Sequence, residues 1–153
     1  MASTTVRQTD TGAGFNRGYK PAALWLCAVF SAANAAWMLA DPTSWYATVA
    51  GVHHTGPFNA HFVRDIGIAY LMVAACWDLA ARLPRAAFPL AGVAAAFMVL
   101  HAGLHGWDIA AARLPVSHLL IDLPGVFGPA VLAVLLALWL HPEWRNQQPV
   151  ETG

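Results

Sequence analysis

Charge is scarce in this chain. Only 10% of its 153 residues are Asp, Glu, Lys or Arg, where an ordinary soluble domain carries about 25%. Lysine occurs once, at Lys20, and net charge is zero. The few basic residues are scattered, which excludes the basic stripe of a nucleic-acid binder. Cysteine is nearly as rare. Cys27 and Cys76 both lie inside apolar runs, where they read as small hydrophobes rather than a disulfide pair. The chain has no Cys-x-x-Cys-His haem motif, no glycine-rich nucleotide loop, no nucleophile motif and no Glu-x2-His di-iron pattern.

Hydrocarbon fills the space that charge leaves. Hydrophobic residues make up 58% of the chain and mean hydropathy is +0.52. A core of this chain length cannot hide so much apolar surface, so lipid is the expected solvent. The pattern predicts an all-α integral membrane four-helix bundle over residues 21–141. Polar tails are expected at 1–20, disordered, and at 142–153. The predicted spans are 21–40, 60–83, 86–107 and 117–140, each near the length that crosses a ~30 Å hydrocarbon core. No cleavage site followed by a soluble domain appears, so the first span reads as uncleaved. Trp25 and Trp37 suit its two interfaces, and Trp139, His141 and Trp144 suit the end of the fourth span. Asn34 suits interhelical bonding.

Asp41-Pro42 ends the first span and starts a short interfacial helix, with Asp41 as N-cap and Pro42 at N1. Residues 51–59 form a Gly/Pro loop carrying His53 and His54, of which at most one points inward. Asp78 and Arg82 are placed to pair at i,i+4. Ser117 is the expected N-cap of the fourth span. Pro124, Gly125, Gly128 and Pro129 should kink that span. The small face of Gly92, Ala94, Ala95 and Ala96 serves internal packing or a homo-oligomer equally.

Arg7, Arg17, Lys20, Arg82, Arg85 and Arg145 fall on one side of such a bundle. The positive-inside rule then puts both termini in the cytoplasm. Arginine and alanine enrichment suits a bacterial inner membrane. On the outer side three His/Asp pairs coincide in depth: His61 with Asp65, His101 with His105 and Asp108, and His118 with Asp122. On a helix each pair shares a face. Polar groups this dense at apolar helix ends need partners.

Three readings account for that layer. The first is a transition-metal site (copper, zinc or iron) held by His61, Asp65, His101, His105, His118 and Asp122, with Arg64, Asp108 and His54 supporting the ligands. It would serve a redox enzyme, or a subunit of a redox complex, acting on a small apolar or quinone-like molecule. The second is a proton or ion gate in a non-enzymatic subunit or small transporter. The third is a structural polar network. Expected partners are the lipid bilayer, a small apolar ligand, and another copy or a membrane-complex partner.

Four short spans in about 150 residues, polar at one end, resemble the DoxX-like small bacterial membrane proteins. That resemblance implies the multi-pass layout and no catalytic residue. The spacing His101-x3-His105-x12-His118 is similar to the Asp-x3-His-x12-His copper motif in the third subunit of particulate methane and ammonia monooxygenases. His101 stands where that motif has Asp. The similarity implies copper at His105 and His118.

Overall fold

The computed structural model describes residues 19–147. Residues 1–18 of the tail expected at 1–20, and the last residues, 148–153, lie outside the described residues, as does the side chain of Trp144. Every regular element among the described residues is helical. The long helices are α1 (Tyr19–Ala40), α3 (Ala60–Arg82), α4 (Ala87–Ala110) and α6 (Gly128–Gln147). Between them lie two short ones, α2 (Pro42–Thr48) and the single turn α5 (His118–Ile121).

Three stretches are long and apolar enough to cross a membrane: Lys20–Ala40, Pro84–Ala110 and Leu123–His141. The helix α3 has the length, at 23 residues, but carries Arg64, Asp65, Asp78 and Arg82 and is not among the three. Outward surfaces are apolar where a soluble fold would be polar. Phe30 is 75% exposed and Leu100 74%, as expected for side chains solvated by lipid.

Local chemistry sets the helix ends. Asp41 caps α2 by accepting from the Ser44 N–H at 3.0 Å, with Pro42 in the first turn. Asn59 caps α3 by accepting from the His61 and Phe62 N–H groups. At the far end of α3 the Arg82 guanidinium donates to Asp78 at 2.8 Å, the i,i+4 pair that spacing predicts. Asn34 bonds between elements, accepting from the Trp45 indole of α2 at 2.9 Å.

The helices pack in an arc: α1 on α3, α3 on α4, and α4 on α6. Small residues let them close. Ala80, Ala91 and Ala94 are fully buried. Of the expected small face, Ala94 and Ala95 are buried inside the bundle, whereas Ala96 faces out. Helices α1 and α3 cross closely at Gly67, where a Cβ would sit 3.0 Å from Met38 Cβ and 3.2 Å from Leu39 Cγ. The variant Gly67→Leu is therefore expected to overpack the α1–α3 interface and lower unfolding free energy by about 1–3 kcal/mol. Denaturant titration in detergent reads this; an unchanged midpoint would mean that α1 is free to move away.

Three sequence boundaries need correction. Helix α1 begins at Tyr19, inside the expected tail, and α6 runs through Gln147 into the other. The fourth span is not one helix from 117 to 140. After the turn α5 the backbone makes a π-helical segment, Leu123–Phe127, before α6 starts at Gly128. Pro124 lacks the N–H an α-helix would use, so the ladder shifts, and the Val126 and Phe127 N–H groups both donate to the Asp122 carbonyl. Ser117 precedes α5, but its hydroxyl makes no capping bond.

Candidate functional site: a buried Asp–His chain beside an apolar cavity

The π segment carries Asp122 into the bundle. Asp122 is 6% exposed and His118, one turn earlier, is fully buried. From α4 His105 comes to the same carboxylate. One oxygen, Oδ2, lies 2.8 Å from His105 Nδ1 and 3.1 Å from His118 Nδ1. An ionised carboxylate oxygen accepts two such N–H bonds. The second ring nitrogen of His118, Nε2, lies 2.9 Å from Nδ1 of His54 in the loop. His54 is exposed and stacks obliquely on exposed His53. An unbroken hydrogen-bonded run thus leads from an exposed loop side chain, through two buried groups, to His105.

His105 ends the run at a cavity of about 860 Å³, lined by residues of all four long helices, the loop and the π segment. His101, Asp122 and Tyr70 share that wall. The His101 ring meets His105 edge-on at 4.9 Å and stacks parallel to Phe97 at 5.9 Å. Between walls as apolar as these, hydrogen bonds to an ionised group are stronger than at a surface.

The loop is fitted to this chain by Gly51. Its φ of +82° is left-handed, and a Cβ there would lie 2.9 Å from Ile121 Cγ2 and 3.0 Å from His118 Cε1. Tyr46 fixes the other side of the loop, its hydroxyl donating to the Gly56 carbonyl at 2.7 Å.

The expectation that three His/Asp pairs converge in one layer is met by two helices and not by the third. His61 and Asp65 bond each other at 3.4 Å on the outside of α3, with side chains 82% and 50% exposed, and neither lines the cavity. Arg64 donates to the Leu39 carbonyl at 3.3 Å. Asp108 pairs with Arg113 at 3.1 Å rather than with a histidine. Among the described residues no group of three or more His, Cys, Asp or Glu is arranged to hold a metal ion. The physical reason is that His105, His118, Asp122 and His54 turn their facing atoms on one another.

Sequence reasoning passed over Gly51, Tyr70 and Ser31. Ser31 is 7% exposed and lines the cavity, and its hydroxyl forms no hydrogen bond with any described residue. Nothing in the local sequence marks these positions, because each matters only through a distant element. Compared with known protein families, curated proteins and solved structures, the chain matches none.

Proposed function

We propose that this is a four-span membrane protein in which an Asp–His chain relays protons between the His54 loop and a small apolar ligand in the cavity. In this reading α3 is the fourth span. Both termini face the cytoplasm by the positive-inside rule, which puts the loop at the outer face. The observation that carries the proposal is the hydrogen-bonded run His54–His118–Asp122–His105 joining an exposed loop to the cavity wall.

At rest both Nδ1–H groups donate to ionised Asp122, which leaves Nε2 of His105 as a base toward the cavity. A proton taken up there makes an imidazolium that Asp122 stabilises. Onward transfer moves the His105 Nδ1 proton to Oδ2 of Asp122. His118 receives it on Nδ1 once a preceding inward proton from His54 has entered at Nε2 while the old Nδ1 proton left through Asp122 to the cavity; the Nε2 proton then passes back to Nδ1 of His54. Each step moves one proton across one hydrogen bond.

The test is hydrogen exchange of the His105 ring N–H, followed by NMR of histidine-labelled protein in liposomes. Replacing the exposed end of the run, His54→Phe, is expected to slow that exchange about tenfold or more, which corresponds to roughly 1.4 kcal/mol of added barrier. Unchanged exchange would sink the relay.

A metal held by His101 and His105 is the second reading. The observation that favours it is Asp122 behind His105, since a carboxylate on Nδ1 is how imidazoles are oriented toward metals. Stoichiometric copper, zinc or iron in purified protein, absent from His101→Ala, would replace the relay reading with this one.

A further inference from the structure

The relay reading leaves open what the cavity holds and how it gets there, and the inference that follows rests on that reading. We infer that the cavity takes a neutral, lipid-soluble phenol-type molecule, which enters sideways from the bilayer between α1 and α6.

The gap comes from the packing order. The arc α1–α3–α4–α6 leaves α1 and α6 with little direct contact. They meet where the Lys20 ammonium sits 4.8 Å over the Trp139 ring, near the start of one helix and toward the end of the other. Further along, Leu26 and Phe30 of α1 and Leu132 of α6 all line the cavity, yet they are 64%, 75% and 49% exposed. A side chain that both lines a cavity and faces lipid marks an opening to the bilayer. Water-borne ligands would instead have to pass the loop, which the His54–His118 and Tyr46–Gly56 bonds hold down.

The lining decides the chemistry. No Lys or Arg lines the cavity, and its one carboxylate is Asp122. An anionic headgroup would find no cation and would meet a negative charge, so the occupant is neutral. Aromatic walls from Phe30, Trp45, Tyr70 and Trp77 suit a flat ring. Hydrogen-bonding capacity is left over. Ser31, a residue only 7% exposed, has a hydroxyl with no partner among the described residues, and the hydroxyl of half-buried Tyr70 has none either. A buried hydroxyl without a partner is costly unless a ligand supplies one. Ser31 sits on α1, and His101 and His105 on α4, two helices that do not pack together. The polar groups therefore stand on separate walls. A ring hydroxyl donating to His105 Nε2, with its alkyl body toward Phe30 and Leu132, satisfies the relay's free base and fills an apolar space of this size.

The experiment uses the full chain in lipid nanodiscs. Para-octylphenol is titrated, with protein-free nanodiscs as blank, and tryptophan fluorescence is the readout. Octylbenzene, which lacks only the hydroxyl, is the comparison. Saturable one-to-one binding of the phenol is expected, with octylbenzene weaker by about tenfold or more, the cost of leaving buried polar groups unpaired. Tyr70→Phe should weaken the phenol several-fold, whereas Ser31→Ala, on the wall away from His105, should change its binding little. Phe30→Trp, which narrows the gap, should slow association several-fold. Equal binding of octylbenzene would overturn the phenol assignment, and so would a lack of saturable binding or a second copy found seated between α1 and α6. An association rate that ignores Phe30→Trp would overturn the lateral route. None of these outcomes touches the relay, which is read without ligand from His105 exchange; a lost relay with retained phenol binding would be equally visible.

Discussion

Replacing Asp122 by alanine is expected to cost about 2–5 kcal/mol, because it leaves two imidazole N–H groups without the acceptor they share. Asp122 accepts from His105 and His118 through the same oxygen, at 2.8 and 3.1 Å. With the carboxylate gone, two Nδ1–H groups lose their acceptor, one on a fully buried ring. His118 has no exposed surface through which solvent could replace it. The melting temperature in detergent should fall on the order of 10 °C. Asp122→Asn separates hydrogen bonding from charge. Its amide oxygen, turned to the two imidazoles, keeps both bonds as neutral ones, so the loss should shrink to about 1 kcal/mol. Proton transfer through His105 should still fail, because the amide neither accepts the proton nor stabilises an imidazolium. Equal loss in the two variants would mean that the negative charge, rather than the bonding pattern, holds this end of the bundle. No loss in either would mean that the histidines are packed independently of the carboxylate.

The second large effect is expected at Gly51→Ala, in the loop outside every long helix. Its φ of +82° is strained for any residue with a Cβ. The added methyl would also press on Ile121 Cγ2 at 2.9 Å, His118 Cε1 at 3.0 Å and Asp122 Oδ1 at 3.3 Å. Backbone strain and overpacking together should cost about 2–4 kcal/mol. The loop can relieve the clash only by lifting, which pulls His54 away from His118. The NMR signal of the His54–His118 hydrogen bond should therefore disappear while that of His105–Asp122 survives. A variant as stable as the wild type, with the His54–His118 bond intact, would show that the loop rests on the core less closely than these distances require.

Much of this protein is determined by sequence alone. Low charge and long apolar runs dictate a helical chain with membrane-length segments, since helices satisfy their own backbone groups where water is absent. Asp41-Pro42 dictates the corner after α1, and the Asp78/Arg82 spacing dictates a pair, because both depend on residues within one turn. The His101/His105 and His118/Asp122 spacings correctly brought two helices to one polar cluster, because i,i+4 neighbours must share a face.

What tertiary structure decided is which faces turn inward. His61 and Asp65 have the same spacing as His118 and Asp122, yet they end on the outside of α3. Gly67 forces that helix to lie with its opposite side against Met38 and Leu39. Of the adjacent His53 and His54, only the fold selects His54, by bringing His118 to it through the π segment, whose residues alone do not reveal where Asp122 will point. The cavity is the property of no single helix. It exists because α1 and α6 close at Lys20 and Trp139 and stand apart beyond them. Helix formation is local and periodic, so it can be read along the chain; the rotation of each helix about its axis is set by contacts with residues far away in sequence.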